Sequence, residues 1–135
     1  MRVVIFAVFA SLILAGCLPT VVTDRGGPTA SGEFAKGQIV KGFPSLPAYP
    51  KAQIVETYGS KEGFGGSFVS YDELAKVVNF YGLGLGQLGW ETVLRQKSET
   101  NYVYEIKNDT YVGEVIINTA SNGKQTAITV VLESR

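Results

Sequence analysis

The sequence predicts an α+β domain, a two-layer sandwich with one long amphipathic helix packed on an antiparallel sheet in the order ββαββββ. Three observations carry that expectation. Leu74, Val77, Val78, Tyr81, Leu85 and Leu88 recur at i, i+3, i+4, i+7, i+11 and i+14, one apolar stripe on a helix over residues 71–88. Downstream of Trp90, the runs 91–96, 102–107, 111–119 and 126–133 are rich in β-branched and aromatic residues. Asn108-Asp109 and Ser121-Asn122-Gly123-Lys124 punctuate them, and Asn-Gly is a strong hairpin signal.

The N-terminus comes first in the chain and carries the strongest functional signal. Met1-Arg2 supplies a positive charge, and Val3–Leu14 is an unbroken apolar run of 12 residues. A helix needs roughly 20 residues to cross about 30 Å of hydrocarbon, so this run has the length of a signal-peptide core instead. It ends in Leu14-Ala15-Gly16-Cys17, which resembles the bacterial lipobox. That resemblance implies cleavage between Gly16 and Cys17 and a diacylglycerol on the Cys17 sulfur. Residues 1–16 then form a lipoprotein signal peptide. Two or more acyl chains hold a protein stably on a bilayer, where one alone is marginal. The expected localisation is the cell envelope, with the membrane as a partner through Cys17. Residue 18 is Leu and not Asp, which favours the periplasmic face of the outer membrane in a diderm organism.

Residues 17–42 carry no helical or strand period and are rich in Gly, Thr, Ser and Pro, so they read as the lipidated cysteine and a flexible tether. Residues 43–135 read as the globular domain. It opens with Pro44, Pro47 and Pro50 at every third position, a stiff lead-in that packs on the domain. Ala52–Tyr58 and Ser67–Ser70 follow as strands around the glycine-rich turn GSKEGFGG. Ser70-Tyr71-Asp72-Glu73 matches the capping box S-x-x-E, with Ser70 as N-cap and Glu73 three positions on.

Composition excludes several classes of chemistry. Lys and Arg total 12 and Asp and Glu total 12, so no net field attracts nucleic acid, and the lysines are scattered singly. With no histidine and a single cysteine, the commonest general base is absent and neither an intrachain disulfide nor a cysteine-based zinc site can form. Ser67 and Ser70 have no histidine to activate them, and adjacent Asp72 and Glu73 diverge on a helix. Gly84-Leu85-Gly86-Gln87-Leu88-Gly89 fits G-x-G-x-x-G. A dinucleotide loop must follow a strand and open a helix, whereas these glycines close one, at its negative end. The expected cofactor list is therefore empty: no nucleotide and no metal. Gly82, Gly84 and Gly86 weaken the helix by roughly 1 kcal/mol each relative to alanine, so Leu85 and Leu88 hold it by burial and Gly89 ends it in a left-handed conformation.

Pro47-Ala48-Tyr49-Pro50-Lys51-Ala52 reads as P-x-Y-P-x-A. Val77-Val78-Asn79-Phe80-Tyr81, Leu85 and Gly89-Trp90 read as V-V-x-F-Y-x3-L-x3-G-W. Together these motifs resemble a family of small uncharacterised bacterial envelope lipoproteins with a single α+β domain. The resemblance covers residues 47–133, implies the fold, and brings no catalytic residues. Here the segment between Tyr81 and Gly89 is glycine-rich, where the family has charged, helix-favouring residues.

If Trp90, Thr92, Leu94, Ile128, Val130 and Leu132 point at the helix, the opposite sheet face carries Val93, Val103, Val112, Ile116 and Val131 beside Arg95, Glu105 and Glu114. A solvated sheet face is normally more polar than that. The expected function is therefore a non-enzymatic, lipid-anchored envelope module that uses this face to bind an envelope protein or a second copy of itself. The alternative is a carrier or sensor of a small hydrophobic ligand held between helix and sheet, marked by a cavity beneath residues 82–90 of more than roughly 300 Å³.

Overall fold

The computed structural model describes residues 32–135, so the signal peptide, Gly16 and Cys17 lie outside the described residues. The elements are β1 (Glu33–Lys36), β2 (Gln53–Gly59), β3 (Gly63–Ser70), α1 (Leu74–Gln87), β4 (Glu91–Ser98), β5 (Asn101–Lys107), β6 (Tyr111–Thr119) and β7 (Thr126–Ser134). One helix packs on one seven-stranded antiparallel sheet, ordered β1-β2-β3-β7-β6-β5-β4. The chain climbs one half of the sheet as β1 to β3 and crosses it as α1. It then returns from the far edge as the meander β4 to β7, closing beside β3.

Five expectations about the elements need correction. The order is βββαββββ, because β1 lies inside the stretch read as tether. Glu-Phe-Ala-Lys pairs with Glu56–Gly59, and Val40, just beyond it, is 2 % exposed. Polar composition hid four residues whose pairing is supplied entirely by the neighbouring strand. The turn GSKEGFGG is also mostly strand, since β3 already begins at Gly63. Neighbouring rings take the space that side chains at the glycines would fill, Phe64 over Gly59 and Tyr58 over Gly65. The cover given by an aromatic on the paired strand offsets the weakness of glycine in a sheet.

The helix has 14 residues, shorter than the stripe implied. Its N-cap is Glu73, with no side-chain cap. Ser70 ends β3, paired with Thr126, and its hydroxyl accepts the Asp72 N–H at 3.1 Å. The S-x-x-E match therefore serves the exit from a strand, not a capping box. At the other end Leu88 is the C-cap and is 49 % exposed, so it does not hold the helix down as expected. Leu85 does, with no exposure at all. Its burial stabilises the fold by about 1.5–3 kcal/mol.

Two pieces cover the inner sheet face. Val77, Val78, Tyr81 and Leu85 of α1 meet Ile106, Val115, Ile117, Ile128, Val130 and Leu132 in one core. The lead-in 43–52 lies over the rest as a strap, with Tyr49 buried and Phe43 and Leu46 packed on the core beside Phe64 and Phe68. Thr57 anchors the run into it: its hydroxyl donates to the Gln38 carbonyl at 2.8 Å and accepts the Val40 N–H at 2.9 Å. The expected packing of a stiff proline segment on the domain is what the structure shows. It forms part of the second layer.

Candidate functional site

The glycine stretch is a packing joint. Gly89 has φ +85°, its N–H donates to the Gly86 carbonyl, and the Trp90 N–H donates to the Leu85 carbonyl at 3.1 Å. Those two bonds form a Schellman closure, which satisfies carbonyls at the negative end of α1. A Cβ at Gly82 would sit 2.7 Å from the Tyr104 hydroxyl, and one at Gly84 would sit 2.9 Å from Pro47. Gly82 thus lets Tyr104, from β5, bond the Val78 carbonyl at 2.9 Å, and Gly84 lets the strap touch the helix. Gly86 meets nothing within 4 Å. Burial raises the Tyr104 hydroxyl above its ordinary pKa and raises that of Tyr81 further.

The strap is fastened at both ends. The Trp90 indole N–H donates to the Ser45 carbonyl at 2.9 Å, and the Tyr49 hydroxyl donates to Asp72 Oδ2 at 2.6 Å. Burial, and then the bond to Asp72, push the Tyr49 hydroxyl up to about 12. The bond from Tyr49 and the Lys76 ammonium hold the Asp72 carboxyl below its ordinary range. Asp72 is therefore a structural acceptor, and Glu73 marks the helix start beside it. Beneath the strap lies a cavity of about 300 Å³ lined by Phe43, Leu46, Tyr49, Phe68, Tyr81 and Val130, among others. It does not lie beneath residues 82–90, where the carrier reading looked for it.

On the opposite face, direct cross-strand pairing sets up rows running across the sheet. One reads Val93, Glu105, Glu114, Val131, Gly65, Tyr58 and Phe34, with one residue from each strand. Its neighbours hold Arg95, Val103, Ile116 and Thr129 on one side and Lys107, Val112 and Glu133 on the other. The structure thus brings Val93, Val103, Val112, Ile116 and Val131 onto adjacent rows of one face. They are not equally presented. Val93, Val112 and Val131 are exposed, Ile116 is half-buried, and Val103 is 5 % exposed. Val103 supports the face from within and does not offer itself to a partner.

Thr92 and Leu94, expected inside, are exposed along with the rest of β4, although α1 runs up to that strand. Sequence reasoning missed Phe34 and Tyr58, which are 58 % and 46 % exposed and extend the apolar row to the far edge. A register shift between Ile54 and Glu56 breaks the period that would have placed Tyr58, and Phe34 was hidden by its polar surroundings. Charges are interleaved along the face. Arg95 bonds Glu105 at 3.1 Å and Lys107 bonds Glu91 at 3.0 Å, while Glu114 lies directly opposite Glu105 with no ion pair among the described residues. Val93, Glu105, Lys107, Val112, Glu114 and Val131 help to line an open concavity of about 710 Å³.

Among the described residues no group of three His, Cys, Asp or Glu side chains is placed to hold a metal ion, and no helix is long and apolar enough to cross a membrane. Comparison of the chain with protein-family models, curated proteins and solved structures finds no match.

Proposed function

We propose that this chain is a lipid-anchored protein of the cell envelope whose domain is a non-enzymatic interaction or assembly module. The observation that carries the interaction role is the outer sheet face. Val93, Val112, Val131, Tyr58 and Phe34 are all exposed there, and neither the helix nor the strap covers them. Exposed apolar side chains gathered on one sheet face, here interleaved with Glu105, Glu114 and Lys107, suit a protein-binding surface, where single exposed apolar residues are ordinary. The anchor rests on the lipobox-like Leu14-Ala15-Gly16-Cys17 and the envelope family on the two quoted motifs. In this reading Val112→Lys with Ile116→Lys leaves the fold intact and abolishes co-purification of envelope proteins after crosslinking. An unchanged set of co-purifying proteins and an unchanged oligomeric state sink the interaction role.

A second reading has its own observation. The apolar cavity under the strap is of the size that takes a small hydrophobic ligand. A carrier role predicts that such a ligand quenches or shifts the emission of Trp90, which fastens one end of the strap. No spectral change across a panel of short-chain fatty acids and small aromatics counts against it.

A further inference from the structure

The sheet has two open edges, and they differ. β1 is four residues long, whereas β4 has eight, every one of them exposed, and is hydrogen-bonded on one side only, to β5. Its unpaired edge presents backbone donors and acceptors to solvent, a template for another strand unless it is blocked. Val93 and Leu94 are 49 % and 47 % exposed and point to opposite faces, so an added strand would cover both.

We propose that β4 pairs with β4 of a second copy of this chain, antiparallel, about a two-fold axis through Leu94. The proposal rests on the reading of the domain as an interaction module and names its partner. Charge selects the register. Centred on Leu94, Glu91 faces the second copy's Lys97, Thr92 its Gln96, Val93 its Arg95, and Leu94 its own equivalent. The two-fold repeats each pair, as an isologous contact requires. Lys97 makes no ion pair among the described residues, while Glu91 already holds Lys107 through Oε2 and has a second oxygen for another ammonium.

Neighbouring registers are worse. Centring on Arg95 sets Arg95 against Arg95 and Glu91 against Glu99, two like-charge contacts that oppose pairing. Centring on Val93 shortens the overlap and takes the ion pair from Arg95, which Glu105 already holds at 3.1 Å. Pairing with β5 is regular from Glu91 to Gln96 and shifts between Gln96 and Ser98, so Lys97, the last residue of the proposed register, has no directly opposed residue on β5. The assembly would join two seven-stranded sheets edge to edge, with both outer valine faces on one side.

The test is register-specific crosslinking in the full chain carrying Cys17→Ser, which leaves one introduced thiol. Leu94→Cys, Thr92→Cys and Gln96→Cys are compared under mild oxidation by non-reducing electrophoresis. Paired residues at the axis come within disulfide reach, whereas equivalents two positions away lie roughly 13 Å apart, beyond the roughly 7 Å limit between Cα atoms. Leu94→Cys is expected to give a covalent dimer at least about tenfold more readily than either neighbour. Glu91→Lys should reduce that yield, and adding Lys97→Glu should restore it. Equal yields at all three positions, no dimer from a chain with native circular dichroism, or no rescue by the double swap overturns the proposal. Membrane fractionation of the chain with Cys17 intact reports separately on the anchor, so failure of one reading is not mistaken for failure of the other.

Discussion

The Tyr49 hydroxyl donates to Asp72 Oδ2 across 2.6 Å, tying the strap to the start of α1 over 23 positions of sequence. It does so beside a second long-range bond, from the Thr126 hydroxyl to the Asp72 carbonyl at 2.8 Å. Asp72 therefore gathers strap, helix and the start of β7. Bonds to an ionised acceptor are stronger than neutral ones, and removing the donor leaves the rest of the strap held by apolar packing and Trp90. Tyr49→Phe keeps the ring, including its edge-to-face contact with Phe80 at 5.0 Å, and deletes only the bond. We expect a fall of several degrees in Tm and a larger rise in proteolysis within residues 43–52. An unchanged cleavage rate would show that the strap is held without this bond.

The same carboxylate fixes an acid dependence. Because the folded state holds Asp72 below its ordinary 3.8, its contribution is fully present above that value and fades as pH falls through the lower folded one. The gap in stability between the native chain and Asp72→Asn should be constant near neutrality and narrow below about pH 4. Urea unfolding across pH 2–7 measures it. A gap that widens towards acid contradicts the assignment.

The glycine-rich end of α1 allows a separation by position. Gly86→Ala enters open space inside a helix and should stabilise the domain by up to about 1 kcal/mol. Gly82→Ala sets a methyl 2.7 Å from the Tyr104 hydroxyl and should cost about 1–3 kcal/mol, the penalty for disturbing a buried hydrogen bond. Gly89→Ala forces a left-handed alanine and should cost roughly 1–2 kcal/mol. Denaturant midpoints that shift equally for all three would refute the distinct roles.

The anchor gives a simple fractionation result. Cys17→Ser should leave the chain soluble or uncleaved. Its recovery in membranes, processed at the usual position, would rule out lipidation at Cys17.

How much of the fold is legible in the residues follows from what each pattern depends on. The helix stripe Val77, Val78, Tyr81 and Leu85 and the four strands after Trp90 were legible because burial on one face writes a period into the chain. Gly89 and Trp90 were legible because a left-handed helix end needs a particular residue. β1 was not, since four polar-flanked residues carry too little period and gain their structure from β2. Leu88 and Leu94 were misplaced because period gives spacing but not cover: they are 49 % and 47 % exposed. The face holding Val93, Val112 and Val131 was correctly grouped by alternation, yet the same alternation could not show that Val103 sinks into it.

Alkali should unfold the domain cooperatively through its buried phenols. Tyr49 rises from 10.0 to about 12, and Tyr81 and Tyr104 are raised by burial as well. A raised folded value means that the native state keeps its proton where the unfolded chain has lost it. Stability from these groups is complete below pH 10, declines as pH climbs from 10 and, for Tyr49, is gone above about 12. Tyrosinate absorbance from these three rings should therefore rise in a steep step coincident with loss of the far-ultraviolet circular dichroism signal. Tyr104→Phe should reduce the amplitude of that step, since one of the groups driving it is gone, and the lost bond to the Val78 carbonyl should lower stability at neutral pH. A single smooth titration, with the fold intact throughout, would mean that these hydroxyls reach solvent and that the strap and helix do not seal the core.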